Sequence, residues 1–134
     1  MIFINMKYQV VVESYTERHF IKSFAKKYPG AWDKTLKGLL LEFMYVDLLF
    51  KTQIAEKISV SHDNNVEICK TEFKIIGTNI SRHASGYRCI IAIHKSTMAV
   101  HVLLVYGKGD ISGSNETTWW KQVIKDNYSQ YDKL

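Results

Sequence analysis

Two apolar segments, residues 87–94 (YRCIIAIH) and 99–106 (AVHVLLVY), decide the fold of this chain, and only residues 95–98 (KSTM) separate them. Both segments are near-continuous runs of β-branched, aromatic and other apolar residues, which favours strands buried within a sheet. A polar linker of this length commonly joins the two strands of a hairpin. The sequence therefore predicts a buried antiparallel hairpin at this point.

Upstream of the hairpin, the hydrophobic pattern has a period of two. Residues 66–76 (VEICKTEFKII) alternate between apolar and polar side chains, which predicts a third strand, and residues 77–86 (GTNISRHASG) form a polar connection to the hairpin. In an antiparallel sheet, the C-terminal end of this strand adjoins the start of the 87–94 strand. We therefore expect side chains from both segments to meet at one end of the sheet.

The first part of the chain begins with a strand pattern and continues with a helical one. Residues 8–13 (YQVVVE) predict an N-terminal strand. Ser14 and Glu17 have the spacing of a capping box, which predicts that a helix starts there. Apolar residues at helical spacing on both sides of Pro29 predict a hairpin of two helices, the second over about residues 32–51.

The C-terminal region predicts one more helix, over about residues 116–126, with Ser114 or Asn115 as its N-cap. The order of elements is then β, α, α, β, β, β, α. Antiparallel strands in succession, with the helices grouped together, are typical of an α+β domain and not of a βαβ array. A Rossmann-type nucleotide site is therefore not expected.

Composition limits the class of protein. The 134 residues, 46% of them hydrophobic, are enough to bury a core without disulfides or a structural metal, so we expect a single domain over residues 1–134. No stretch approaches the ~18 to 20 apolar residues of a membrane span, and we expect a cytoplasmic protein with no membrane contact. The net charge of +5 favours an anionic partner.

The cysteines and histidines argue against a metal site. Cys69 and Cys89 belong to no Cys-x-x-Cys pair, which excludes a zinc ribbon or finger, and both lie in apolar runs where buried reduced thiols are expected. His94 and His101 flank the predicted hairpin and can lie near each other across the strands, but no third ligand has a suitable spacing. We therefore expect no metal and no cofactor.

Basic residues in the middle of the chain form a candidate site. Lys70 and Lys74 share one side of their strand by parity. Arg82 and His83 lie in the connection that follows, and Arg88 begins the next strand. We expect a cluster at one end of the sheet, formed by Lys74, Arg82, His83 and Arg88. Cations at such a place suit a phosphodiester, because its oxygens carry negative charge. A solvated set of basic side chains on an exposed face is an equally open interpretation.

Residues 84–88 (ASGYR), the apolar hairpin and residues 102–108 (VLLVYGK) resemble the last two strands of the RelE/ParE superfamily of bacterial toxins. Those strands typically read Ser-Gly-Tyr-Arg and then a hydrophobic hairpin that ends in a lysine-containing turn. The predicted order of elements is also similar to the family's fold. The resemblance implies a small RelE-like α+β domain with an N-terminal strand, a helical hairpin, antiparallel strands and a C-terminal helix.

By this resemblance, the chain is the toxin of a type II toxin–antitoxin system, neutralised by a cognate antitoxin protein. The implied activity is that of an mRNA interferase, an endoribonuclease that cuts mRNA, usually on the ribosome, and so inhibits growth. Such enzymes work without a metal because RNA carries its own nucleophile, the 2′-hydroxyl group. The protein then supplies only proton transfer and charge stabilisation.

The resemblance also implies roles for individual residues. Arg88 matches the family's strand arginine, which would contact the scissile phosphate, and Lys108 matches the basic turn residue. Lys74 lies in the region where relatives place catalytic basic residues. His83 is the preferred acid/base candidate, because a neutral imidazole can both take and give a proton near physiological pH. Further RNA contacts are expected from Lys70, Arg82, His94 and Tyr106.

The chain departs from the family pattern after the turn lysine. Gly109 and Asp110 stand where relatives often carry an arginine, and the tail offers Trp119, Trp120 and Tyr128 in place of a C-terminal tyrosine. The identity of the general acid is therefore open. Two other functions are compatible with the sequence: a ParE-like toxin that poisons DNA gyrase by protein contact, and a non-catalytic relative that serves as a regulatory partner.

Overall fold

The structure is a computed structural model that describes residues 7–111 and 115–131. Its centre is a five-stranded mixed sheet. The strands, in chain order, are β1 (Gln9–Val12), β2 (Ala55–Val60), β3 (Val66–Phe73), β4 (Tyr87–His94) and β5 (Ala99–Gly107). Their spatial order is β1-β5-β4-β3-β2, with β1 parallel to β5 and all other neighbours antiparallel.

Five helices accompany the sheet in the described part of the chain. The first, α1, runs over residues 14–27 as three consecutive segments: α-helical Ser14–Thr16, π-helical Glu17–Ile21 and α-helical Lys22–Lys27. The others are α2 (Ala31–Met44), α3 (Val46–Leu49), α4 (Arg82–Ser85) and α5 (Glu116–Asn127), and 3₁₀ turns cover Lys108–Asp110 and Ser129–Tyr131. None of these described helices is long and apolar enough to cross a membrane.

The predicted elements are present and confirm the α+β class. Residues 95–98 form the turn between β4 and β5. β1 and the pair α1 and α2 are the predicted N-terminal strand and helical hairpin. Asn115 caps α5, because its side-chain oxygen accepts a hydrogen bond from the Thr118 N–H at 3.2 Å. The other predicted cap, Ser114, lies outside the described residues.

Two boundaries differ from the prediction. β3 ends at Phe73 and does not continue to Ile76, because the chain leaves β4 there and the Ile76 N–H donates to the Thr35 hydroxyl of α2 at 2.9 Å. The second predicted helix breaks into α2 and α3 at Tyr45, whose φ of −114° and ψ of 48° are not helical. Both changes result from contacts or backbone angles that the hydrophobic period does not report.

The predicted capping box at the start of α1 is not formed. The helix begins at Ser14, but Glu13 is the N-cap residue and no side chain caps this end. The Glu13 carboxylate instead contacts Nδ1 of His101, 2.7 Å away on β5. The start of this helix is therefore held by a long-range contact with β5 and not by a local side-chain cap.

The hydrophobic pattern does not predict β2. This strand lies at an edge of the sheet, pairs with β3, and carries no buried residue. A register shift between Lys57 and Ser59 also interrupts its alternation. Since an exposed edge strand needs no continuous apolar face, its existence depends on pairing with β3 rather than on its own composition.

Apolar side chains pack on both faces of the sheet. Because successive strand residues point to opposite faces, Cys89 and Ile91 of β4 join the core with α1 and α2, whereas Ile90 and Ala92 join the core with α5. Cys69 and Cys89 are buried free thiols, as predicted. Burial raises the pKa of Cys69 to about 12, so this thiol stays protonated and packs as an apolar group.

Candidate functional site

One row of side chains crosses three strands at the end of the sheet where β3 stops and β4 begins. Glu72 of β3 pairs in register with Arg88 of β4, which pairs with Tyr106 of β5. Lys70 precedes Glu72 by two residues and therefore lies on the same face. Tyr106 belongs to the core beneath α5, so this row lies on the α5 side of the sheet.

Glu72, His83 and Arg88 form one half of the site, here named the Glu72 cluster. Nδ1 of His83 lies 3.0 Å from Oε2 and 3.2 Å from Oε1 of Glu72. Nη1 of Arg88 lies 3.7 Å from Oε2 of the same carboxylate. The exposed fractions of the three side chains are 82% for His83, 18% for Glu72 and 2% for Arg88. One carboxylate thus connects an exposed imidazole to a buried guanidinium.

Arg88 is a buried charge that also binds backbone oxygens. Nη1 donates a hydrogen bond to the backbone oxygen of Tyr87 at 2.9 Å, and Nη2 donates to that of His83 at 3.1 Å. The His83 carbonyl belongs to α4, and the last carbonyls of a helix lack partners within the helix and attract positive charge. Arg88 is therefore held beneath α4 and not at the surface.

The single turn of α4 positions His83. Ser81 caps its start by accepting a hydrogen bond from a backbone N–H of the turn at 3.1 Å. Gly86 ends it with a φ of 76°, a left-handed conformation that favours glycine. The Ser85 hydroxyl lies 2.6 Å from the backbone oxygen of Phe73, which ties α4 to the end of β3. Three small residues of the 77–86 connection therefore fix the place of the imidazole.

Contact with Glu72 determines which nitrogen of His83 carries the proton. A carboxylate can only accept a hydrogen bond, so Nδ1 is protonated and Nε2 of the neutral ring has a free lone pair. The side chain is mostly exposed, so a ligand can reach it. An imidazole oriented by a carboxylate is suited to acid/base chemistry.

Glu116, Tyr106, Lys70 and Lys108 form the other half of the site, the Glu116 cluster. The Tyr106 hydroxyl donates to Oε1 of Glu116 at 2.8 Å. Burial and this contact raise the pKa of Tyr106. The Nζ atoms of Lys70 and Lys108 lie 3.9 Å and 3.6 Å from the same carboxylate. Tyr106 is 1% exposed and is out of reach of a ligand in this conformation, whereas half of the Lys108 side chain faces solvent.

Glu72 and Glu116 are functional candidates to which the sequence assigned no role. Glu72 did carry a signal, since it stands between Lys70 and Lys74 in an alternating segment. Glu116 carried none beyond its place at the start of a predicted helix. Both acids contact the predicted basic residues only because the strands and α5 pack together, which local sequence does not reveal.

The side chains of Lys74 and Arg82 lie against α2 and not in the predicted cluster. Arg82 forms a bidentate ion pair with Glu42 of α2, with Nη1 2.9 Å from Oε2. Lys74 follows the end of β3 and, with Arg82, lines a groove against α2. The parity that predicted a side shared with Lys70 stops where the strand stops. The predicted group of four basic residues is therefore reduced to His83 and Arg88.

His94 lies at the other end of β4, about 20 Å from Arg88 at ~3.3 Å per strand residue. Its Nε2 lies 2.6 Å from the Tyr131 hydroxyl, and its ring centroid lies 4.6 Å from that of His101. The predicted proximity of the two histidines is confirmed, but His94 does not join the candidate site. Within the described ranges, no three His, Cys, Asp or Glu side chains are grouped so as to hold a metal ion.

Comparison with known proteins bears on the fold. No protein-family model matches the chain, and no curated protein matches it significantly. The chain is, however, similar to one in the crystal structure of the archaeal RelE–RelB complex from Pyrococcus horikoshii OT3. The match covers 79% of this chain and 100% of that chain, with 11% identity and a TM-score of 0.53. This chain has a RelE-like fold. At this identity, the likeness concerns the fold alone.

Three chemical groups of the site lie at or near the surface of this RelE-like fold. They are the imidazole of His83 and the ammonium groups of Lys70 and Lys108, whose side chains are 22% and 50% exposed. Ammonium groups bind phosphate oxygens, and an imidazole transfers a proton near neutral pH. Two ammonium groups suited to phosphate oxygens and one imidazole suited to proton transfer are therefore open to a ligand.

Proposed function

We propose that this chain is the toxin of a type II toxin–antitoxin system, a cytoplasmic, metal-independent mRNA endoribonuclease held inactive by a cognate antitoxin. The RelE-like fold and the ASGYR motif at residues 84–88 support the proposal. The observation that carries it is the hydrogen bond between His83 and Glu72, which leaves an exposed imidazole nitrogen free to take a proton.

The proposed reaction begins at the RNA 2′-hydroxyl group. Nε2 of His83 takes its proton, the 2′-oxygen attacks the adjacent phosphorus, and the bond from phosphorus to the 5′-oxygen breaks. The leaving 5′-oxygen takes up a proton from solvent, and the imidazolium later returns its proton to solvent. The products are a 2′,3′-cyclic phosphate and a 5′-hydroxyl end. Lys70 and Lys108 stabilise the charge that develops on the phosphate, and Glu72 stabilises the imidazolium that forms.

A direct contact of Arg88 or Lys74 with the scissile phosphate stays a prediction. Arg88 is buried, so we assign it the positioning of Glu72, and a phosphate contact requires that α4 move away from it. Lys74 is exposed beside α2, where a longer RNA can reach it. Three further predicted RNA contacts lie outside the proposed reaction: Arg82, His94 and Tyr106.

We also propose that a cognate antitoxin covers this site. The similar solved structure is a RelE–RelB complex. An acidic, partly disordered segment that folds on binding would match the positive side chains of the site. The neighbouring reading frame tests this point. A short acidic or helix-turn-helix product that co-purifies with this chain would support the proposed partner, and a product that fails to bind would contradict it.

Mapping of RNA ends tests the nuclease. After induction of the chain alone, primer extension on cellular transcripts should reveal new 5′ ends, and a synthetic RNA with a deoxynucleotide at the cleaved position should resist cutting. His83→Ala should reduce cleavage by about 10² to 10⁴ and relieve growth arrest. His62→Ala, at an exposed histidine between β2 and β3, is the matched control and should cut at the wild-type rate. Growth arrest without new ends would favour the gyrase-poisoning alternative.

The burial of Arg88 favours a second candidate function, that of a non-catalytic regulatory relative. An arginine bound to the backbone oxygens of Tyr87 and His83 stabilises the fold without facing a substrate. Such a protein would bind its antitoxin but cause no growth arrest. Circular dichroism verifies that the wild-type chain is folded. This candidate would be supported if the folded chain neither arrests growth nor cuts RNA.

A further inference from the structure

A cavity of about 290 Å³ lies between α1 and the 3₁₀ turn that follows β5, outside the two clusters described above. Its size is close to the lower end of the range for small-ligand pockets, about 300 Å³. It is lined by His19, Phe20, Ser23, Phe24, Lys27 and Asp110. Aromatic rings, a hydroxyl group, a cation and a carboxylate therefore meet around one small opening.

The wall that α1 contributes is not a regular helix. His19 and Phe20 belong to the π-helical segment Glu17–Ile21. A π-helical turn is rare, and it occurs frequently at functional sites. Two of the six lining residues therefore belong to this irregular turn.

The lining has the chemistry that recognises a nucleobase. Phe20 is partly exposed and offers a ring for stacking, and stacking on aromatic side chains is a general mode of single-stranded RNA binding. The carboxylate of Asp110 can accept hydrogen bonds from an exocyclic amino group. The ammonium group of Lys27 can bind a phosphate next to the base. We infer that this cavity binds one base of a single-stranded RNA.

Charge on α1 favours the same ligand. Arg18, Lys22, Lys26 and Lys27 are all exposed, whereas Glu17 is the single acidic residue of this helix. A basic surface beside an aromatic platform is the combination that binds single strands without a duplex. A cationic or purely apolar ligand would not use these side chains.

The cavity also lies near the proposed phosphodiester site. The ring centroid of Tyr106 lies 5.0 Å from that of Trp119, which lies 6.4 Å from that of Phe20. Lys108 and Asp110 belong to the same 3₁₀ turn, one in the Glu116 cluster and the other at the cavity. This inference rests on the proposed function, since the cavity would hold a base near the phosphate that the nuclease cuts.

Binding of a short RNA that cannot be cut tests the inference separately from catalysis. A fluorescent 2′-O-methyl hexanucleotide lacks the nucleophile, so fluorescence anisotropy reports binding alone. We expect Phe20→Leu and Lys27→Gln each to weaken its binding about tenfold. The matched control is Lys37→Gln, at an exposed lysine of α2 that belongs neither to the cavity lining nor to the basic surface of α1, which should change binding less than about twofold. Asp110→Asn should reduce a preference for oligo-C over oligo-U, since uracil has no exocyclic amino group.

The outcomes separate the cavity from the nuclease. A folded wild-type chain that binds the probe through Phe20 and Lys27 but cuts no RNA would support the cavity and count against the proposed nuclease. A chain that cuts RNA, with the same KM in the Phe20→Leu variant as in the wild type, would overturn the cavity and leave the nuclease standing. Equal weakening by Lys37→Gln and Lys27→Gln would also overturn it, because general charge would then explain the binding.

Discussion

The carboxylate of Glu72 lies 3.0 Å from Nδ1 of His83, and the same carboxylate lies 3.7 Å from Nη1 of Arg88. Glu72 therefore has two partners in different environments, one mostly exposed and the other buried. The contact with His83 concerns chemistry, because it sets the proton on the imidazole. The contact with Arg88 concerns stability, because a buried charge needs a counter-charge. The two effects can be separated by mutation.

Double mutation tests whether Glu72 acts through His83. Replacing His83 by Ala should reduce RNA cleavage by about 10² to 10⁴, and Glu72→Gln should reduce it by about tenfold or more. The double variant should be no slower than His83→Ala alone, since groups that act as a unit have non-additive effects. Single-turnover cleavage of a synthetic RNA gives the rates. Additive losses would mean that the two residues act independently.

Truncation of Arg88 should unfold the chain more easily. Arg88→Met removes the buried partner of Glu72 and leaves backbone oxygens near α4 without donors, so we expect a loss of about 3 kcal/mol in the free energy of unfolding. Urea denaturation followed by circular dichroism measures it. Arg18→Met, at an exposed position of α1, is the control and should stay within about 0.5 kcal/mol of the wild type. A similar small change in both variants would contradict the structural role of Arg88.

Protonation of His94 should destabilise the fold at mildly acidic pH. Burial, and then the neighbouring His101, lower the pKa of His94 below its ordinary value of 6.5. The unfolded chain therefore binds this proton first as the pH falls, so the stabilisation present above about pH 6.5 is lost as the pH decreases through the folded-state pKa. Urea denaturation at several pH values should show a steeper loss of stability in the wild type than in His94→Gln. Parallel profiles would contradict this assignment.

Tyrosine ionisation should be delayed in the folded chain. Burial is the main cause that raises the pKa of Tyr87, Tyr128 and Tyr131 to about 12 each. The ordinary value is about 10. Since these groups lose their protons first in the unfolded state, the stability they contribute is complete below about pH 10 and is lost as the pH rises toward 12. Ultraviolet difference absorbance should record a group of tyrosines that ionise well above pH 10 in the folded chain but at their ordinary pH in urea. Tyr87→Phe should reduce that group by one. Ionisation of every tyrosine near pH 10 in the folded chain would contradict it.

Much of the fold could be predicted from local pattern. The β4–β5 hairpin follows from two apolar runs and a short polar linker, and the capped start of α5 follows from Asn115. These features depend on residues close in sequence. β2 could not be predicted in this way, since an exposed edge strand such as Ala55–Val60 exists only because β3 offers it hydrogen bonds.

The site was less predictable than the fold. The sequence by itself determined that basic residues lie near the end of β3 and the start of β4, because the chain order and the antiparallel arrangement require it. Tertiary structure decided which of them meet. The β3–β4 register pairs Glu72 with Arg88, and a shift of one residue would have turned each side chain to the opposite face. Packing of α4 over that pair then buried Arg88 and left His83 exposed. A guanidinium can be buried there because only the folded chain brings hydrogen-bond acceptors to it.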